Sequence, residues 1–387
     1  MNILVLADIE TGGEWLAIQT MIEKTRKRNR RIKFYLAAHK KISPLFKKGL
    51  FTKTYLINHN HYNKPFKHYR ELFDLINAGR KSISLLFKQH YFDNVIVSDY
   101  LLGISYLLSQ KKGKYLFFFH GVKNNHRVFI DTFNHYLILK KLLEVFTWTM
   151  SKKTIVPSKK TKDFLINNYG FLLKNKPFFI VPNLIQNEFA KKYSPTEINQ
   201  LRKSLGIKKN KIILYSGRLV FNKGIENLVA GFLRIEAKYP KITFIIAYPD
   251  GFDRQLINQI KTLINRGKKI ILMNNPTTIN LARIYQASAL AILPSPFEIS
   301  SLFIREALIS NLPIISTDTG DAKNILSRHF IIKNNKTNTL YNKIDNFLNN
   351  ERKYKRDFLK ITTFFKFQYN EEKIINNFIK ILRAYEK

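Results

Sequence analysis

The chain has 387 residues, 45% of them hydrophobic and 24% charged, a globular composition long enough for two domains of roughly 150–200 residues each. Lysine and arginine number 66 against 27 aspartates and glutamates, a formal net charge of +39, and there is no cysteine. Disulfides, thiolate metal sites and cysteine nucleophiles are thereby excluded, while so positive a field favours polyanions: nucleic acid, anionic lipid head groups or phosphorylated sugar donors.

The N-terminal run MNILVLADIETGGEW has no basic segment before its apolar stretch and no small-residue cleavage site, so no signal peptide is expected. Ile3–Ala7 predicts a buried strand, Gly12-Gly13 a turn, and Glu14 the start of a helix with Leu16, Ile18, Met21 and Ile22 on one side. Further strands are predicted at Ile32–Ala37, Asn94–Ser98, Tyr115–Phe119, Thr154–Val156 and Phe178–Val181. From Gln186 to Asn210 the chain turns polar, with Ser194-Pro195 and Lys208-Lys209-Asn210, and is expected to link two domains. The alternation restarts with a strand at Ile212–Ser216, a helix from Gly224 to Tyr239, and strands at Ile242–Ala247, Ile270–Met273, Ala289–Leu293 and Pro313–Ser316. A last helix, Glu371 to Lys387, puts Ile374, Ile375, Phe378, Ile379 and Leu382 on one face.

Two successive sets of alternating strands and helices predict two doubly wound α/β domains, residues 1–188 and 189–369, with 370–387 packing back on the first. Ligands of such sheets bind at the carboxyl ends of the strands, so the cleft between the domains is the expected site. No stretch approaches the ~18 uninterrupted apolar residues of a membrane span; the best, Leu116–Phe119, is far too short.

The local chemistry concentrates in the second half. Glu298 and Glu306, with seven residues between them, follow the strand ending at Leu293, one in a loop and one two turns into a helix starting near Ser301. Such a helix start exposes free N–H groups suited to an anion or sugar hydroxyls, and carboxylates accept paired hydroxyls of ribose or hexose. Two solvated glutamates, or Glu298 as a helix-start residue, are the plain alternative. Arg218 and Lys223 follow an earlier strand, five positions apart across a short loop, where they can converge on a diphosphate, although a surface loop explains them equally.

The set Gly217-Arg218-Leu219, Lys223-Gly224, Pro294-Ser295 with Glu298, Glu306-Ala307 and Asn311-Leu312-Pro313-Ile314-Ile315 resembles the C-terminal domain of glycosyltransferase family 4, the retaining GT-B enzymes, also called glycosyl transferases group 1. In the first half, Gly12-Gly13, Phe119-His120-Gly121, Val156-Pro157-Ser158 and Val181-Pro182-Asn183 agree in order. The resemblance implies a GT-B fold with the active site in the interdomain cleft. It implies a diphosphate site at Gly13, Arg218 and Lys223, ribose binding by Glu306, and catalytic roles for His120 and Glu298, with Ile299, Ser300 and Ser301 as the donor-sugar loop. It also implies a metal-independent, retaining, hexosyltransferase-like enzyme with no cofactor, the nucleotide-sugar being a substrate. Without the family motifs, a lone histidine such as His120 reads as structural. Three departures bear on donor identity: Ile299, Ser300 and Ser301 replace a glycine-rich stretch, Leu184 follows Pro-Asn where glycine is common, and Tyr248-Pro249-Asp250-Gly251 holds few glycines.

The excess of positive charge is even, 20 in residues 1–190 and 19 in 191–387, so no basic tail stands apart, and compositional drift toward Lys, Asn and Ile explains it as well as function does. Expected partners are a nucleotide-sugar, a glycan or lipid-linked acceptor of cell-envelope polysaccharide or lipopolysaccharide synthesis, and an anionic membrane surface. That surface would be met by Leu85, Leu86 and Phe87 beside Lys81 and Lys88, and by the aromatic segments around His61-Tyr62, Pro65-Phe66 and His68-Tyr69. The implied location is cytoplasmic, peripheral on the inner face of the membrane. No nucleic-acid motif is present. A basic GT-B scaffold that binds polyanions, and a GT-B phosphorylase or epimerase, are the other classes.

Overall fold

The computed structural model describes residues 1–7, 13–39, 46–47, 49–57, 69–110, 114–119, 135–173, 175–207 and 209–384. The chain divides into two compact units, one of Met1–Glu10, Glu14–Leu184 and Glu371–Lys387, the other of Thr11–Gly13 and Ile185–Asn370.

The first unit is a seven-stranded parallel sheet in the order β3-β2-β1-β4-β5-β6-β7. In chain order its elements are β1 (Asn2–Leu6), α1 (Gly13–Arg28), β2 (Lys33–His39), β3 (Lys53–Ile57), α2 (Tyr69–Gln89), β4 (Asn94–Val97) and α3 (Tyr100–Ser109). They continue with β5 (Leu116–Phe118), α4 (His135–Met150), β6 (Lys153–Val156), α5 (Lys159–Leu173) and β7 (Phe178–Ile180). Central strands such as β1 and β4 are continuous apolar runs because helices cover both faces of a parallel sheet. The edge strand β3 was not predicted. Its sequence KTYLI buries only Ile57, so it lacks the apolar run by which inner strands are recognised.

The second unit repeats the plan with six parallel strands in the order β10-β9-β8-β11-β12-β13. It runs α6 (Asn187–Ala190), α7 (Pro195–Ser204), β8 (Lys211–Ser216), α8 (Ile225–Lys238), β9 (Ile242–Tyr248), α9 (Arg254–Asn265), β10 (Ile270–Asn274) and α10 (Thr278–Ala287). Then come β11 (Leu290–Leu293), α11 (Leu302–Ile309), β12 (Ile314–Thr317), α12 (Ala322–Ile325), β13 (Ile331–Ile332), α13 (Thr337–Asn349) and α14 (Glu351–Gln368). The expected linker at Gln186–Asn210 is instead folded. Phe189 is buried, and Ser194 and Glu197 form a reciprocal capping box with Pro195 in the first turn of α7. Polar composition there reflects helix-start chemistry rather than a free connector.

The last helix, α15 (Glu371–Arg383), packs on the first unit. Glu371 and Glu372 in its first turn pair with Lys24 and Arg28 of α1, Phe118 meets Phe378 edge-on, and Asn94 donates to the Leu382 carbonyl at 3.1 Å. Ile381 joins the predicted apolar face in the core.

Candidate functional site

In the second sheet, strand order reverses between β8 and β11, which lie side by side with Ile213 opposite Leu290. Loops leaving the carboxyl ends of two such strands diverge to opposite faces and open a crevice between them, where ligands of doubly wound sheets bind. The β8 loop carries Arg218 and Lys223, and the β11 loop carries Glu298.

The β8 loop is shaped by its backbone. Gly217 donates to the Ala247 carbonyl at 3.0 Å, the Tyr215 phenol donates to the Arg218 carbonyl at 3.0 Å, and Asp253 N–H donates to the Leu219 carbonyl at 2.7 Å. Burial pushes the Tyr215 phenol up, keeping it a donor. Arg218 is exposed, and its guanidinium makes no ion pair among the described residues. A 3-10 turn over Phe221–Lys223 then leads into Gly224, whose φ of 71° starts α8.

Gly224 is required twice over. A Cβ would strain the left-handed backbone, and it would lie 2.5 Å from Asn335 Nδ2 and 2.6 Å from the Pro294 carbonyl of the β11 loop. Gly224→Ala is expected to cost about 2 kcal/mol or more and to lower the melting transition of this unit by several degrees in scanning calorimetry. An unchanged transition would mean the loops can part freely.

The β11 loop is fixed in turn. Ser295 Oγ donates to the Phe297 carbonyl at 2.9 Å, and Gly320, at φ 52°, lets the following backbone approach the Glu298 and Ile299 carbonyls. Lys223 Nζ donates to Glu298 Oε1 at 2.8 Å, both groups being largely buried. Two residues singled out separately in the sequence are thus in direct contact across the crevice.

Ser301 caps α11, and Ser300 Oγ lies 3.1 Å from Asp321 Oδ2 and 3.2 Å from Arg305 Nη2. Arg305 and Asp321 also pair, both buried. The two serines standing where glycines were expected are therefore tied into the protein, and Ser300 anchors the loop that holds Ile299.

Glu306 projects from the second turn of α11 and is buried. The Tyr285 phenol of α10 donates to its Oε2 at 2.6 Å. Burial pushes the carboxyl up to about 7, against the lowering effect of the Tyr285 bond, and burial also raises Tyr285 well above its ordinary value. Oε1 has no hydrogen-bond partner among the described residues, so this carboxyl keeps one acceptor for a ligand.

Gly13 is the first residue of α1, whereas His120 lies outside the described residues, as do Gly12, Gly121 and the aromatic segment 61–68. Sequence reasoning missed Tyr285, Arg305 and Asp321. Tyr285 falls on the apolar side of α10 and reads as core; its bond to Glu306 crosses between helices and leaves no trace in local spacing.

Residues 197–360 match the family model for glycosyl transferases group 1. A mannosylfructose-phosphate synthase of Agrobacterium fabrum is 27% identical over 165 residues, 41% of this chain and 36% of that protein. An alpha-galactosylglucosyldiacylglycerol synthase of Streptococcus pneumoniae is 28% identical over 159 residues, 39% of this chain and 40% of that protein. The matched part thus spans well under half the length of either curated relative. Among solved structures, Anabaena Alr3699/HepE in complex with UDP and glucose superposes with a TM-score of 0.75 at 15% identity, covering 99% of this chain and 100% of that one. The chain has the GT-B fold of two Rossmann-like units, and its second unit carries the match to glycosyl transferases group 1.

Proposed function

We propose that the protein is a retaining glycosyltransferase of family 4 that moves a sugar from a nucleotide-sugar to a glycan or glycolipid acceptor, in cell-envelope polysaccharide or lipopolysaccharide assembly on the cytoplasmic side of the membrane. The contact between Lys223 and Glu298 at the strand-order reversal carries this reading, with exposed Arg218 on the same loop and Glu306 on the helix behind. Arg218 and Lys223 hold the donor diphosphate, Glu306 the ribose hydroxyls, and Glu298 with the Ile299–Ser301 backbone the sugar. The bond from the anomeric carbon to the diphosphate oxygen breaks. The acceptor oxygen bonds to the same face, and its proton passes to the leaving phosphate. Two fixed cations cover the charge that grows on that phosphate, so no divalent ion is required. The UDP and glucose in the Anabaena complex support a nucleotide-sugar donor, and the relatives named as mannosylfructose-phosphate and alpha-galactosylglucosyldiacylglycerol synthases support a sugar or glycolipid product.

A hydrolysis screen across UDP-, GDP-, ADP- and CMP-sugars in EDTA tests this. One donor is expected to be consumed, and NMR of the transfer product should show the donor's anomeric configuration. Activity lost to EDTA and restored by magnesium or manganese would instead assign a metal-dependent reaction, and failure to bind or consume any of them would remove the transferase assignment.

A further inference from the structure

Helix α14 is two-faced in an unusual way. Its inner side is anchored: Tyr354, Phe358 and Thr362 are buried, and Tyr354 packs edge-on against Phe330 and Phe347. At 3.6 residues per turn, Arg352, Lys353, Arg356, Leu359, Lys360 and Phe367 fall within an arc of about 120° on the opposite side, with Phe364 at its border. Every one is exposed, Phe367 at 88%, Phe364 at 62% and Leu359 at 56%. Arg356 has only Asp357 beside it at 3.7 Å, and Arg352, Lys353 and Lys360 make no ion pair among the described residues.

Exposed aromatic side chains interleaved with cations, three of them without an ion pair among the described residues, demand a partner that is both apolar and negative. A second copy of a chain carrying +39 is repelled. Nucleic acid takes the charge but offers no apolar phase to Leu359. An anionic bilayer offers both within one interface: lipid phosphates for the cations and, just beneath, acyl chains for the phenyl rings.

We propose that α14 is a membrane-docking helix that lies on anionic lipid, its four cations at the phosphate level and Leu359, Phe364 and Phe367 entering the interface. The surface differs from the one the sequence offered. Of the three apolar residues expected there, Leu85 is exposed at 56%. Leu86 is 4% exposed and Phe87 is partly buried against Phe92 and Tyr106, so these two pack into the first unit rather than facing a membrane. The proposal deepens the transferase reading, on which it rests for a lipid-borne acceptor, by naming how the enzyme reaches that acceptor. Vesicle binding needs neither donor nor transfer, so either can fail alone.

The test is co-sedimentation of the full chain with phosphatidylcholine vesicles with and without phosphatidylglycerol. Binding is expected only with the anionic lipid. Phe364→Ser with Phe367→Ser should lower partitioning at least ~10-fold, and Lys353→Ala with Lys360→Ala by about fivefold per cation. These side chains are exposed, so melting curves should not move, and the two pairs act through different physics. Equal binding to neutral vesicles would overturn the proposal, as would unchanged binding of either pair with an intact melt. Tighter binding to a single-stranded oligonucleotide, lost in the same variants, would assign the face to nucleic acid.

Discussion

Arg218→Ala and Lys223→Ala are each expected to lower kcat by about 100- to 1000-fold, the loss seen when a fixed group that stabilises transition-state charge is removed. Both groups are proposed to meet the leaving diphosphate, whose charge grows as the glycosidic bond breaks, so the loss should fall on kcat more than on KM. The two substitutions differ in what else they disturb. Arg218 is exposed and makes no ion pair among the described residues, so its removal should leave the melting curve unchanged and report on function alone. Lys223 is bonded to Glu298, and its loss leaves a largely buried carboxylate without its cation. Lys223→Ala should therefore also destabilise the β11 loop, whereas Lys223→Arg should keep the charge and restore part of kcat. Steady-state rates with a soluble acceptor, read beside calorimetry, separate these effects. A wild-type kcat in the Arg218→Ala protein would take that residue out of the diphosphate site.

Glu306→Ala should weaken donor nucleotide binding ~10- to 100-fold, since hydrogen bonds to a charged acceptor contribute on the order of 1.5–3 kcal/mol. The shifted carboxyl gives this prediction a pH signature. Burial raises Glu306 from its ordinary 4.5 to about 7. Between those values the folded protein holds a proton that the unfolded chain releases, so the empty protein loses this contribution to stability as pH rises through the window. Donor binding has the opposite sign, because the carboxylate is the better acceptor for ribose hydroxyls. Affinity should rise as pH passes 7, by about tenfold from pH 6 to pH 8 if binding requires the ionised form. Isothermal titration in buffers of different ionisation enthalpy should show proton release near neutral pH. In Glu306→Gln the slope from this group should vanish; a slope that persists unchanged belongs to another residue.

The sequence by itself determined most of the strands and their alternation with helices. A parallel strand covered on both faces must be a continuous apolar run, and such runs are local: β8, β9, β11 and β12 were all legible to within a residue or two. It also determined the Glu298 and Glu306 spacing, and so their division between a loop and the helix that follows it. Tertiary structure alone decided what those residues touch. Lys223 and Glu298 are 75 positions apart, and they meet because β11 pairs with β8 rather than with β10, which precedes it in the chain. Tertiary packing also sets the chemistry of Glu306: burial raises its proton affinity, and the hydrogen bond from Tyr285 on a neighbouring helix opposes that rise. Composition gave the net charge but not its use. Leu86 and Leu359 are both apolar residues near lysines, and only packing decides that the first is core while the second faces solvent beside free cations. Periodicity records which residues share a face; which face is covered depends on segments distant in the chain.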